Sequence, residues 1–162
     1  FTVDLHPRLT VIGDVGRLER AGLINELIAA LGPRRPGVHL EVRADDGTRR
    51  ETLLGLLARP APEIPARPAL SPAAAETWAL FRLLARARAV YGLELLGPFI
   101  ITMTCGPADL LTVLLLARWA GSDAGLAIVP LFETLGDLDA APRILDDLFG
   151  FPVYRDHLAR AT

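Results

Sequence analysis

The chain has 162 residues, which fits one domain or a section of a larger one. A formal charge of −2 argues against a nucleic-acid-binding surface, and 51% apolar residues are enough to bury a core. All 17 basic residues are arginines, which excludes Schiff-base chemistry, a Walker lysine and a lysine phosphate clamp.

Leu9 to Ile12 reads as a short buried strand, and Gly13 to Gly16 as a turn. From Arg17 to Leu31, apolar residues recur at helical spacing (Leu18, Ala21, Ile24, Leu27, Ile28, Leu31), and Gly32-Pro33 stops the run. Val38 to Val42 alternates as a second strand and Asp45-Asp46-Gly47 reads as a turn, completing a β-α-β unit over residues 1–48. Arg49 to Ala58 has helical character. The proline-rich stretch from Arg59 to Pro72 reads as an extended connector. Ser71 followed by Pro72 has the pattern of an N-cap and a first-turn proline, opening a long helix that runs to Tyr91. Gly92 and Gly97-Pro98 punctuate the chain before Phe99 to Met103, a β-branched run with the length of a buried strand. Pro107 to Trp119 is a strongly apolar helix, and Leu126 to Val129 the next strand. Gly136 to Phe149 and Pro152 to Ala161 are amphipathic helices. The alternation predicts an α/β fold: a helix-rich, partial parallel (β/α) barrel-like segment over residues 49–162, preceded by the β-α-β unit.

Pro130-Leu131-Phe132-Glu133-Thr134 is the most informative stretch, because a buried strand leading into a carboxylate is how a parallel α/β barrel presents a metal ligand or an acid/base. Its context, LAIVPLFETLGDLDAAPRILDDLFGFPVYRDHL, closely resembles the middle of phosphoenolpyruvate carboxylase. So do RRETLLGLLARPAP and the run from LSPAAAETW to LLLARWAG. In Phe99 to Asp109, Thr102 replaces the family's usual serine and Cys105 stands where a polar residue is common. The resemblance implies a carboxy-lyase that joins bicarbonate to phosphoenolpyruvate, giving oxaloacetate and phosphate in carbon dioxide fixation. It implies that Glu133 is a ligand of an essential Mg²⁺ or Mn²⁺, whose preference for hard oxygen suits a carboxylate. It also implies phosphoenolpyruvate and bicarbonate as partners; the charge and the interrupted apolar runs argue for neither nucleic acid nor membrane, the lone cysteine for a reducing, cytoplasmic setting, and the uncovered sheet edges of a barrel segment for a homo-oligomer.

The first 48 residues match that family less well. Ile12 occupies the position of an arginine that helps hold the substrate phosphate there. FTVDLHPRLTVIGDVGRLERAGLINELIAAL also resembles the opening of a chromosome-maintenance ATPase, but Gly13 and Gly16 are not followed by the Gly-Lys-Ser/Thr that a phosphate loop needs. A fusion with a junction near Asp45 to Arg50 is one reading. The family's threonine-alanine-histidine-proline motif, its S-D-S-x-K-D segment and its mobile glycine- and arginine-rich loop are not in this sequence. The expectation is therefore a carboxylase-derived segment that is inactive alone. The alternatives are a non-catalytic interaction module and a degenerate nucleotide-binding protein.

Other candidates have plainer readings. Asp109 belongs to a helix's first turn, where amides lack partners, and Thr102 and Thr104 are strand-end hydroxyls. Cys105, the only cysteine, forms no internal disulfide and fits a reducing compartment. His6, His39 and His157 are scattered. Arg82, Arg86 and Arg88 read as a solvated or ion-paired helix face, and Asp137, Asp139, Asp146 and Asp147 as polar sides of amphipathic helices. No apolar run reaches a membrane span's length and no signal peptide is visible; with Phe1 at the start, an excerpt or a processed product is expected.

Overall fold

The computed structural model describes residues 9–13, 17–32, 46–92 and 96–161. Three strands, β1 (Leu9–Gly13), β2 (Leu96–Ile101) and β3 (Ile128–Pro130), form one sheet in chain order, β1-β2-β3, with both pairings parallel. Helices α1 (Arg17–Ala30), α2 (Asp46–Leu57) and α3 (Pro72–Tyr91) lie between β1 and β2 in the chain. Helix α4 (Pro107–Ala120) crosses from β2 to β3, and α5 (Leu135–Gly150) and α6 (Pro152–Ala161) follow. The sheet formed by the described strands is open, so the parallel α/β architecture is present and ring closure is not part of it.

Helix α4 organises the core. Apart from Arg118, every residue from Pro107 to Ala120 is buried, as a helix that is apolar on all sides requires. It packs against α2, α3, α1, α5 and β3. Phe81 of α3 stacks on Phe99 of β2 with ring centroids 5.6 Å apart, joining the helical layer to the sheet. The cap read at Ser71 is present: its hydroxyl accepts from the Ala74 amide. The same Ser71 donates its amide and hydroxyl to Glu26 of α1, at 2.7 and 2.8 Å.

Several boundaries differ from expectation. Strand β2 starts at Leu96, so Gly97-Pro98 lie inside it. The β1–β2 register shifts between Leu9 and Val11, which pair with Leu96 and Phe99, and Pro98, which has no amide to donate, falls in that irregular interval. The strand ends at Ile101, leaving Thr102 and Met103 in a loop. Asp46 and Gly47, read as a turn, form the first turn of α2, where a carboxylate is favoured by the helix dipole. The partner of β1 is β2. Gly13, read as the start of a turn over Gly13 to Gly16, closes β1; the rest of that turn, the expected strand Val38–Val42, Pro33, His6 and His39 lie outside the described residues.

Arg88 also departs from its expected solvated face. It is buried, and its guanidinium donates to the carbonyls of Ser122 (3.0 Å), Ala124 and Gly125 (3.0 Å), tying α3 to the turn that enters β3. Arg82 and Arg86 are exposed, and Arg82 reaches the Ala120 carbonyl at 3.4 Å. Arg88→Met keeps the aliphatic packing but leaves those carbonyls without a donor, so we expect a loss of about 3 kcal/mol, read by denaturant unfolding. An unchanged midpoint would show that the turn stands without this clasp.

Helix α6 docks through Tyr154 and His157, both buried. The Tyr154 hydroxyl donates to the Ile128 carbonyl at 3.4 Å, and burial pushes it up to about 12. Burial likewise pulls the His157 imidazole below its usual 6.5, opposed by its backbone hydrogen bond with Leu126 and the charge of Asp123; Arg160 and Arg118 reinforce the drop. His157 Nε2 has no partner among the described residues. The unfolded chain therefore takes the proton first as pH falls below about 6.5, and stability declines from there until the folded imidazole also protonates. We expect the melting temperature to fall over this window and the fall to be shallower in His157→Gln; parallel pH profiles of the two proteins would contradict the assignment.

Candidate functional site

In a parallel sheet all strands finish at the same face, and the loops leaving β2 and β3 meet there. The chain leaves β2 at Ile101, runs through residues 102–106, and enters α4 at Pro107. It leaves β3 at Pro130 and enters α5 after the Thr134 N-cap. The loops are joined beyond the strands proper: the Leu131 amide donates to the Ile101 carbonyl at 2.8 Å, and the Thr104 amide to the Leu131 carbonyl at 3.4 Å.

Glu133 stands at this face, exposed, three residues past β3. Its Oε2 accepts from the Met103 amide at 2.9 Å. Met103 has φ of 55°, a left-handed conformation uncommon for a residue with a side chain. Thr134 and Asp137 form a capping box: the Thr134 hydroxyl accepts from the Asp137 amide at 3.1 Å and the Asp137 carboxylate from the Thr134 amide at 3.2 Å. Glu133 therefore does not cap α5, and its carboxylate faces the neighbouring loop. The T-x-x-D spacing carried this signal in the sequence, where Asp137 reads only as part of a polar helix side.

The other loop is anchored by Asp109, the third residue of α4. Its Oδ2 accepts from the Cys105 amide at 3.0 Å and the Gly106 amide at 3.3 Å, bearing out its structural role. Its Oδ1 accepts from Arg49 of α2 at 2.9 Å, and the two side chains are 0% and 1% exposed. Arg49 escaped notice in the sequence, although it lies at i, i+4 and i+7 with Leu53 and Leu56, a charge on the buried stripe of α2. Asp46 reaches the same helix start, accepting from the Ala108 amide at 3.2 Å; burial raises its carboxyl above the usual range, with Asp109 adding to the rise. Gly106 is pressed against the Asp46 carboxylate, and a Cβ there would collide with it.

Thr104 is buried and donates to the Ile101 carbonyl at 3.4 Å, the ordinary fate of a strand-end hydroxyl, and Thr102 is half-buried. Cys105 is exposed, with its thiol directed at the Met103 carbonyl at 3.5 Å. His157 lies in α6, among the packing of that helix and not with Glu133.

A divalent ion of the Mg²⁺ class takes oxygen ligands and is commonly held by one or two carboxylates with water. No group of three or more His, Cys, Asp or Glu side chains that could hold a metal occurs among the described residues. Glu133 offers one carboxylate. Asp109, on the adjoining loop, is already engaged with Arg49 and two amides. The described residues thus do not form a complete side-chain metal site.

These features define a parallel α/β unit that presents an exposed, hydrogen-bonded carboxylate at the carboxyl ends of its strands. A family model described as phosphoenolpyruvate carboxylase matches residues 24–162, and the chain belongs to that family. The phosphoenolpyruvate carboxylase of Parasynechococcus marenigrum is 37% identical over 131 residues, covering 74% of this chain and 13% of that protein. That of Xanthomonas euvesicatoria pv. vesicatoria is 44% identical over 124 residues, covering 72% of the chain and 13% of the relative. In Xanthomonas campestris pv. campestris the identity is 51% over 85 residues, 49% of the chain and 9% of the relative. The chain thus spans about an eighth of the length of the first two relatives. The family match starts within α1, ahead of the junction expected near Asp45 to Arg50.

Proposed function

We propose that this chain supplies an arc of the barrel of a phosphoenolpyruvate carboxylase-like enzyme, which converts phosphoenolpyruvate and bicarbonate to oxaloacetate and phosphate. In this reading Glu133 contributes one carboxylate to a Mg²⁺ or Mn²⁺ ion whose other ligands come from outside the chain. The observation that carries the reading is the position of Glu133: the segment matched to the family brings this carboxylate to the carboxyl end of a parallel sheet. Parallel strands in chain order with helical crossovers are what an arc of a (β/α) barrel requires. The strand and helix of residues 1–48 and the elements of 49–162 then serve one sheet, through the β1–β2 pairing. No helix of the described residues is long and apolar enough to cross a membrane; the cytoplasmic setting proposed here rests on the family.

On this reading the isolated chain produces no oxaloacetate, and its Mn²⁺ binding is weak. The test is a chimera in which residues 24–161 replace the matching segment of the Xanthomonas euvesicatoria enzyme. We expect phosphoenolpyruvate- and bicarbonate-dependent oxaloacetate formation, reduced about a thousandfold or more by Glu133→Gln, in line with the loss of a transition-state charge partner. Full activity of the Gln variant would remove Glu133 from the metal's ligands.

A second expectation concerns assembly. Val129, Leu131, Leu135 and Leu138 are exposed at the outer strand and the start of α5, and such apolar groups at a sheet edge favour association. We propose a homo-oligomer, with light scattering at tens of micromolar giving at least a dimer mass; a monomer throughout that range would count against it.

A further inference from the structure

We propose that Asp109, clasped by Arg49, is a positioning residue for Glu133: its carboxylate latches the 102–106 loop, and the Met103 amide of that loop holds the Glu133 carboxylate. The proposal deepens the reading of Glu133 as a metal ligand and rests on it for its functional meaning. The mechanical link itself stands on the hydrogen bonds.

Glu133 is exposed, and a glutamate side chain in solvent keeps its rotamer freedom unless something holds it. A single amide, that of Met103, donates to its Oε2 across 30 residues of sequence. The direction of that amide depends on the loop. At one end the loop is fixed by Ile101, whose carbonyl accepts from the Leu131 amide and the Thr104 hydroxyl. At the other end it is fixed by Asp109, which accepts from the Cys105 and Gly106 amides. Between these anchors Met103 adopts φ of 55°. Such a conformation is strained for a residue with a side chain and persists only where the surroundings over-determine it.

Two carboxylates do this from opposite sides, Asp109 on Cys105 and Gly106, and Glu133 on Met103. Arg49 makes the first of them rigid: it holds Oδ1 at 2.9 Å in a fully buried pair, leaving Oδ2 aimed at the loop. With the Asp109 latch removed, the left-handed turn loses its support, the Met103 amide turns elsewhere, and Glu133 reverts to a mobile surface side chain. A helix-capping role alone would make Asp109 matter for stability and leave the Met103–Glu133 contact unchanged.

The experiment is heteronuclear NMR of the chain. In the wild type, the Met103 amide should show the small temperature coefficient and slow exchange of a hydrogen-bonded donor, and Glu133→Ala should abolish both while leaving Cys105 protected. The decisive variant is Arg49→Met with Asp109→Leu, which removes both charges together and strands neither in the interior. We expect it to stay folded by circular dichroism, to raise the Met103 temperature coefficient to that of a solvent-bonded amide, and to exchange the Met103 and Cys105 amide hydrogens roughly tenfold faster or more. A folded double variant with the Met103 temperature coefficient and exchange intact would overturn the proposal. Should the double variant not fold, Asp109→Asn, which retains one acceptor oxygen, is judged by the same two readouts. Mn²⁺-induced line broadening at residue 133 reports the metal reading separately. Coupling without broadening upholds the latch and sinks the ligand role, whereas broadening at residue 133 with Met103 unmoved by the double variant retains the ligand role and sinks the latch.

Discussion

The site depends on one buried ion pair. Arg49 and Asp109 lie between α2 and α4 with almost no solvent contact, so each charge is acceptable only because the other is there. Arg49 Nε remains without a hydrogen-bond partner among the described residues, so the pair is not fully satisfied and its net contribution to stability is small compared with well-packed apolar side chains. Its effect is on geometry. An apolar surface such as that of α4 can slide or rotate against its neighbours at modest cost, whereas a guanidinium–carboxylate contact fixes α2 and α4 at one register. The start of α4, and with it the loop from β2, is placed by that contact.

The same logic recurs at the other end of α4. Gly121, in the left-handed conformation, terminates the helix, and the turn that follows is gripped by Arg88 from α3. Arg118 reaches the Leu57 carbonyl at 2.9 Å and stands 3.7 Å from Asp123. The apolar body of α4 provides burial, and the arginines at its two ends provide position. With no lysine in the chain, each of these contacts uses a planar donor that can meet several oxygens at once. Burying an ammonium at the Arg88 position would satisfy fewer of the three carbonyls in the geometry they present.

The second half of the fold was legible because its signals are local. The Ser71-Pro72 start, the apolar run of α4 and the β-branched run of β2 each act within a few residues. The start of β2 was hidden because Gly97-Pro98 is a breaker by local rules, and only the shifted register against β1 shows how a strand contains it. Arg88 looked like a surface charge because its partners lie 34 to 37 residues away, on a turn whose approach is set by packing. At the site, Glu133 stood out through its motif, and Asp109 through its place in a first turn. Arg49 and Met103 did not, because a charge on an apolar stripe acquires meaning only once its partner is placed, and a left-handed methionine leaves no mark in composition.

Buried and exposed side chains therefore divide the work of one small region between different residues. Asp109, Arg49 and Thr104 are buried and define where the loop goes; Glu133, Met103 and Cys105 are exposed and occupy what the loop presents. Reactive groups on loops are useful only when a rigid element limits their motion, and here a single carboxylate with two oxygens performs the transfer, one oxygen turned to the core and the other to the loop amides. Removing the exposed glutamate would leave every buried contact intact. Removing the buried aspartate would strand an arginine and take an acceptor from the Cys105 and Gly106 amides, so a change at Asp109 carries a structural component that a change at Glu133 does not.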